Sequence, residues 1–363
     1  MTASPLVGVR AGIRPARADE SPAVADLTER AFAAGAYGHL AVSPERRAFV
    51  RDVAGRDASG TVLVAEVDGR LVGTVSLVRA GTPQARLATG DEAELRLLAV
   101  EPAVQGAGLG RRLALAAQEE AHAWGARAVV LDTGSRNTAA QRLYERLGYR
   151  RFAGADAVVS TGSTTDAGST GSTTGGIEHV AYRLPIRQRA DVVVRLVRDA
   201  EVEEAAALSL RAYEHDYDLS AEYRASILAV GERARDHQVW VALDAATGRL
   251  LGTVATPRRD ATISPLAEPG ELDFRLLGVD PAARGRGIGA VLTGHVIELA
   301  RLRGLDRVVM NSGPQMTGAH RLYERLGFAR LHEREREIDD GGRRFRLLAF
   351  SIDVPREPIA LAS

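Results

Sequence analysis

Two kinds of apolar pattern alternate along the chain. Short runs rich in Val, Leu and Thr at Thr61–Val67 and Arg70–Arg79 flank Asp68-Gly69, the turn residues of a two-residue hairpin. Similar runs predict strands at Gly12–Arg17 and Glu94–Val100 and a buried strand at Ala128–Asp132. Apolar positions at helical spacing predict helices over Ser21–Ala33, Gly108–Trp124 and Asn137–Leu147. Ser21 reads as an N-cap with Pro22 at the first helical position, and Gly148 as a C-terminal cap. The order strand, helix, three strands, helix, strand, helix, two strands puts hairpins before crossover helices. That order predicts an α/β chain (α+β in its mixed sheet), with a mixed, mostly antiparallel sheet and helices on both faces.

The pattern occurs twice. Leu97-Leu98-Ala99-Val100-Glu101-Pro102 returns as Leu276-Leu277-Gly278-Val279-Asp280-Pro281, and Arg142–Gly148 (RLYERLG) returns unchanged as Arg321–Gly327, both at one offset. Arg70–Val75 matches Arg249–Val254 at the same offset, while Leu27–Phe32 matches Leu208–Tyr213 with a small slip that marks a loop. A constant offset between landmarks means one folded unit used twice. Ser160–Gly176 has the Ser/Thr/Gly composition of a linker. The second copy, however, reaches its closing strand Phe345–Val354 after a tight turn at Asp339–Gly342, and the equivalent strand of the first copy, Ile177–Ile186, lies beyond the Ser/Thr/Gly run. Residues 160–176 therefore read as an expanded hairpin loop, and the expected domains are 1–187 and 188–363.

Composition narrows the chemistry. Of 363 residues 45% are hydrophobic and 26% charged, the make-up of a globular protein. The 47 basic and 47 acidic residues cancel, so nucleic acid and anionic membrane are not expected partners. The absence of cysteine excludes disulfides, thiolate nucleophiles and Cys-ligated metals. The absence of lysine excludes the lysine-bearing phosphate loop and Schiff-base catalysis. The eight histidines show no metal-ligand spacing and read as surface or rim residues, so no metal is expected. Met1–Arg14 has no long apolar run and no stretch of about 18 apolar residues occurs, which predicts a cytoplasmic protein, monomeric or homodimeric.

After each central strand a glycine-rich turn opens an amphipathic helix: Gln105-Gly106-Ala107-Gly108-Leu109-Gly110 and Arg284-Gly285-Arg286-Gly287-Ile288-Gly289. Glycines there let backbone N–H groups face outward at the positive end of a helix, a pyrophosphate cradle that needs no lysine. A turn that merely permits close packing is the other reading. In the first copy Arg111 stands where the dinucleotide fingerprint needs Gly or Ala, which disfavours a nicotinamide enzyme.

These residues resemble the GNAT superfamily of acyl-CoA-dependent N-acyltransferases. Its Gln/Arg-x-x-Gly-x-Gly/Ala motif is met at Gln105–Gly110 and Arg284–Gly289, and its closing Leu-Tyr-x-x-x-Gly-Phe/Tyr box at Leu143–Tyr149 and Leu322–Phe328. The tandem layout is similar to that of mycothiol synthases. The resemblance implies two tandem GNAT folds, each with a central strand splayed from its neighbour, and acetyl-CoA as cosubstrate. It implies that backbone groups of Leu98, Ala99 and Val100, and of Leu277, Gly278 and Val279, hold pantetheine. The pyrophosphate falls to the N–H groups of Gln105, Gly106, Ala107, Gly108, Leu109, Gly110 and Arg111, and of Arg284, Gly285, Arg286, Gly287, Ile288, Gly289 and Ala290. Asn137 is a further cofactor contact. The general base lies eleven residues before the motif, at Glu94 and Asp273, with Glu92 and Glu271 as competitors. The general acid is Tyr144 or Tyr323, each of which also reads as a core residue with its hydroxyl at the rim.

The copies differ at the cofactor. Asn137 is matched by Met316, with Gln315 and Asn311 as near substitutes, whereas Arg284 and Arg286 make the second loop more cationic than Gln105 and Ala107. The expectation is a steeper salt dependence of acetyl-CoA binding at the second site. The chain reads as an N-acetyltransferase that moves acetyl from acetyl-CoA to a primary amine of a small molecule or peptide, by direct attack in a ternary complex. The competing reading is a regulatory protein that binds acyl-CoA without turnover. Acceptor residues are expected near Tyr37, His39, Tyr213, His215 and Tyr217.

Overall fold

The computed structural model describes residues 11–152, 157–159, 177–340 and 342–355. Two compact units divide the chain at Ile186 and Arg187, except that His122–Gly125 group with the second.

In the first unit β1 (Gly12–Pro15), α1 (Ser21–Ala33), α2 (Pro44–Arg51), α3 (Val53–Ala58), β2 (Gly60–Val67), β3 (Arg70–Arg79), β4 (Glu92–Val100), α4 (Leu109–Trp124), β5 (Ala128–Gly134), α5 (Thr138–Arg146), β6 (Arg150–Arg151), β7 (Ala157–Val159) and β8 (Ile177–Pro185) follow in order. The sheet order is β1-β2-β3-β4-β5-β8-β6, with β7 on β8. Among the described residues of this unit only β4 and β5 run parallel. The β2–β3 turn has Asp68 at φ 48° and Gly69 at φ 75°, the paired left-handed residues that an Asp-Gly hairpin turn supplies. β7 and β8 pair from Ala157↔His179 to Val159↔Ile177, while the Ser160–Gly176 run between them lies outside the described residues.

The second unit repeats this with β9 (Val192–Leu196), α6 (Val202–Glu214), α7 (Ala221–Leu228), α8 (Val230–Asp236), β10 (Gln238–Asp244), β11 (Leu250–Thr256), β12 (Glu271–Asp273), β13 (Arg275–Val279), α9 (Ile288–Arg303), β14 (Arg307–Ser312), α10 (Thr317–Arg325), β15 (Ala329–Arg330), β16 (Arg336–Asp340) and β17 (Arg343–Asp353). Here the sheet is two pieces, β13-β11-β10-β9 and β12-β14-β17-β15 with β16 on β17. They separate where Phe274 interrupts what is one strand, β4, in the first unit.

The sequence reading places most helices within a residue or two. Ser21 is inside α1 rather than its cap, and Asn137 is the N-cap of α5 rather than its first turn. Gly148 and Gly327, at φ 88° and 90°, close α5 and α10. The helix pairs α2–α3 and α7–α8 were not expected. Both cores lie between sheet and helices: Val62 and Val64 pack with Val24, Ala25 and Val53, and Trp240, Leu251, Val254 and Phe274 pack with Ile288 and Val296.

Candidate active site

The site starts from a break in strand pairing. β3 pairs with β4 from Gly73↔Val100 to Arg79↔Ala93, but the register shifts so that Leu97 and Leu98 oppose one partner residue. β13 does the same against β11 at Leu276 and Leu277. At these bulges Leu97 has φ 50° and Leu276 φ 53°, left-handed backbone that is costly for leucine. On its other edge β4 pairs with β5 only from Glu92↔Ala128 to Glu94↔Val130, although β5 continues beside β8 to Gly134. β12 likewise meets β14 only from Glu271↔Arg307 to Asp273↔Val309. Beyond those positions the central strand parts from its parallel neighbour, and its backbone groups lose that edge partner.

In the second unit this gap belongs to a cleft of about 790 Å³. Its walls include Leu277, Gly278 and Val279, the loop residues Arg284, Gly285, Gly287, Ile288, Gly289 and Ala290, and Tyr323. The structure thus brings together most of the cofactor residues expected in this half. Gly285 and Gly287, like Gly106 and Gly108, have φ between 75° and 85°. A Cβ at Gly106, Gly108 or Gly285 would meet nothing within 4 Å, so the backbone conformation, not space, demands glycine. Alternating left-handed residues turn successive N–H groups to one side, the concavity that receives an anion. Gly289 acts differently: a Cβ there would lie 2.9 Å from Leu322, so its absence lets the loop helix pack against α10, whereas at Gly110 a Cβ would lie 3.6 Å from Leu143, an ordinary contact. A pantetheine-like chain beside the bulge and a pyrophosphate on the loop fit these residues.

Three cofactor residues are engaged otherwise. The Asn137 side-chain oxygen accepts from Ala140 N–H at 3.3 Å, so it caps α5; Met316, at the same cap of α10, makes no such bond. Arg284 lines the cleft but is paired with Asp216 at 2.8 Å. Arg286 is not among the lining residues, and its guanidinium lies 2.9 Å from Asp244 and 3.7 Å from Asp191.

Glu94 and Asp273 stand at the last paired position before the strands part. Glu94 is fully buried. Its Oε2 accepts from the N–H groups of Arg86, Leu87 and Ala88 at 2.7, 2.6 and 3.1 Å, while Oε1, 3.4 Å from Arg96 Nη1, has no hydrogen-bond partner among the described residues. Asp273 repeats the arrangement: Oδ1 accepts from Ile263 N–H at 3.1 Å and Oδ2 has no partner among the described residues. The competitors are spent in ion pairs, Glu92 with Arg183 at 2.7 Å and Glu271 with Arg334 at 2.5 Å. Tyr144 and Tyr323 are both buried, Tyr323 among Phe274, Phe328 and Phe350 with ring centroids 5.6 to 6.2 Å away. Burial pushes both phenols above the ordinary tyrosine value, so each keeps its proton.

Sequence reasoning missed a charged group in the first unit. Asp132 on β5 pairs with Arg86 and with His179 Nδ1 on β8. Arg96 lies 4.8 Å from the centre of the Phe49 ring and Arg46 5.6 Å from it. These residues come from five separate segments, and no local spacing could announce them. Tyr37, expected near the acceptor, accepts from Arg136 N–H at 2.8 Å. His295, expected at a surface or rim, is buried against Trp240 at 4.3 Å, and burial lowers its pKa. Among the described residues no three His, Asp or Glu gather as a metal site, and no helix is long and apolar enough to cross a membrane.

The chain is 37% identical over 105 residues to a mycothiol acetyltransferase of Cellulomonas flavigena, covering 27% of this chain and 30% of that one. It is 37% identical over 106 residues to glucosamine 6-phosphate N-acetyltransferase 1 of Oryza sativa subsp. japonica, covering 29% and 61%. Both matches span less than two thirds of the relative's length. Among solved structures, spermidine N-acetyltransferase from Vibrio cholerae in complex with CoA and spermine is 15% identical and matches 46% of this chain and 97% of its own, at a TM-score of 0.34. The family model for the acetyltransferase (GNAT) family matches residues 23–149 and again 200–328, most of the chain and once in each unit. The chain belongs to the GNAT acetyltransferase family.

Proposed function

We propose that each unit, 1–187 and 188–363, binds acetyl-CoA at its glycine loop and that the chain acetylates a primary amine of a small molecule or peptide by direct attack. The observation that carries this reading is the repeated pairing of a bulged, splayed central strand with a loop of left-handed glycines. In the second unit both line one cleft with Tyr323. The backbone of Leu98–Val100 and Leu277–Val279, freed on the splayed edge, would hold pantetheine, and the loop N–H groups the pyrophosphate. With neither Cys nor Lys in the chain, acyl-enzymes on those residues are excluded.

In the transfer a C–N bond forms as the thioester C–S bond breaks. Glu94 Oε1 and Asp273 Oδ2 are held by their partner oxygens' bonds to loop N–H groups and have no hydrogen-bond donor among the described residues, which suits them to take the ammonium proton through water. Tyr144 and Tyr323 keep a proton at the phenolic oxygen and present it to the departing sulfur. N-acetyl transfer is also what the name of the rice relative states.

The test is thermal unfolding with acetyl-CoA beside thiol release over a panel of amines. At about 100 times its dissociation constant a ligand stabilises the native state by about 2.7 kcal/mol, here a rise of about 5–10 °C. An unmoved melting temperature overturns the proposal, and protection without thiol release supports the regulatory reading instead.

A further inference from the structure

The repeat lets the wall of the second unit's cleft be followed residue by residue into the first unit, and the two walls differ in charge. Ser220 caps α7 by accepting from Tyr223 N–H at 3.0 Å, and Ser43 caps α2 by accepting from Arg46 N–H at 3.2 Å. Arg46 therefore occupies the place of Tyr223, which lines the cleft. Arg96 directly precedes the left-handed Leu97 as the cleft residue Arg275 precedes Leu276. Asp132 pairs with Ala181 across β5–β8 as Asn311 pairs with Ala349 across β14–β17. Two residues upstream on the closing strands stand His179 and Leu347, and Asn311 and Leu347 both line the cleft. Arg86, whose N–H is held by Glu94, comes from the loop whose counterpart brings Ser264 to the cleft.

A tyrosine, an asparagine and a leucine in one unit are thus answered by arginine, aspartate and histidine in the other, and the loop beside them adds Arg86. In the first unit three guanidiniums, Arg46, Arg86 and Arg96, face two carboxylates. Asp132 is paired with Arg86 and Glu94 is 3.4 Å from Arg96. Arg46 has no ion pair among the described residues. It is exposed and held over the Phe32 and Phe49 rings at 5.8 and 5.6 Å. Desolvation of the guanidinium and the charges of Arg96 and Arg86 disfavour its charged form, Asp132 favours it, and no carboxylate reaches it as an ion pair among the described residues. A guanidinium stacked on aromatic rings keeps its N–H edge free for an oxyanion.

We infer that the first unit selects an amine that also carries an anionic group, a carboxylate or a phosphate, and that Arg46 is the residue that holds this group. The inference rests on the proposed function for the acceptor's place, but anion binding at Arg46 is measurable without turnover. The full-length chain, saturated with CoA so that the cofactor sites are filled, is titrated with O-phosphoethanolamine, β-alanine and ethanolamine. Binding is followed on arginine side-chain N–H resonances assigned with R46A and R86A. The two anionic amines should shift the Arg46 resonance saturably and ethanolamine should not; which of the two binds more tightly tells phosphate from carboxylate. R46A, and R46Y with the side chain of the second unit, should weaken anion binding about 10-fold or more, the loss of one charge-assisted contact. Both should retain the parent melting temperature, since the position is exposed.

The inference is overturned if ethanolamine shifts Arg46 as the anions do, if neither anion shifts it, or if R46A binds both anions unchanged. Failure of acetyl-CoA to protect the chain would instead overturn the proposed function, and the anion titration would still stand.

Discussion

Leu97 and Leu276 show how little a single residue can reveal of its own conformation. Each sits in a run that reads as strand, yet each adopts a left-handed backbone that costs an ordinary side chain about 1–2 kcal/mol. The strain is supported by pairing on the other edge, and it aims the strand's polar groups into the gap. The motif Leu-Leu-x-Val shows the strand but not the bulge, because nothing in leucine favours positive φ. The tyrosines were legible through the family box, and their burial bears on the role proposed for them. A phenol whose value is pushed up stays protonated through neutral pH, so in the proposed transfer Tyr323 would act as donor and not as base. With the first site disabled by Gly108→Trp, Tyr323→Phe should lower the remaining kcat about 100-fold with little change in KM for acetyl-CoA and in melting temperature. The wild-type rate should show no alkaline loss from this group below about pH 10. A core role alone would instead lower the melting temperature and leave kcat in place, and steady-state kinetics beside calorimetry separates the two.

At the scale of elements, long amphipathic helices and hairpins were legible and short polar helices were not. α2 has only Phe49 and Val50 as large apolar residues among charged neighbours, and α3 is six residues long with Gly55 inside it. Neither offers the repeated apolar stripe by which a helix is recognised. Those same helices carry the acceptor-side residue Arg46, so the specificity of the site was hidden with them. The corner from strand to first helix is also repeated without a visible motif. Arg14 binds Glu20 at 2.7 and 2.9 Å while Glu20 accepts from Arg17 N–H, and Arg195 binds Glu201 at 2.6 and 2.7 Å while Glu201 accepts from Arg198 N–H.

Hydrogen bonding to Arg14 lowers the Glu20 carboxyl from 4.5 to about 2. A folded-state value below the unfolded one means the contribution is complete above about pH 4.5 and is lost as pH falls toward about 2. Glu20→Gln should therefore destabilise the chain by about 2 kcal/mol at neutral pH and by almost nothing near pH 2. Thermal unfolding of both proteins at the two pH values checks this; an equal loss at both would show that packing, not the ion pair, is what the substitution removes.

At the scale of the molecule, duplication was the most legible feature, since a constant offset survives where individual side chains have diverged. What the offset could not carry was the set of partners each side chain finds. Read alone, Arg284 and Arg286 give the second loop two more cations than Gln105 and Ala107, and a cofactor site whose affinity falls steeply with salt. Folding supplies those cations with carboxylates: Asp216 at 2.8 Å from Arg284, and Asp244 and Asp191 at 2.9 and 3.7 Å from Arg286. To meet a phosphate, either arginine must give up an exposed ion pair that salt weakens as much as the contact replacing it. The net charge of the second loop region is then close to that of the first, and in the proposed cofactor site backbone N–H groups would be the common anchor. The expectation changes accordingly. With one site disabled by Gly108→Trp or Gly287→Trp, acetyl-CoA affinity measured by calorimetry should fall in parallel at the two sites between ~0.05 and ~0.5 M salt, within about twofold. A markedly steeper fall at the second site would show that the arginines leave their carboxylates when the cofactor binds, and that the divergence of the two loops reaches the cofactor as well as the acceptor.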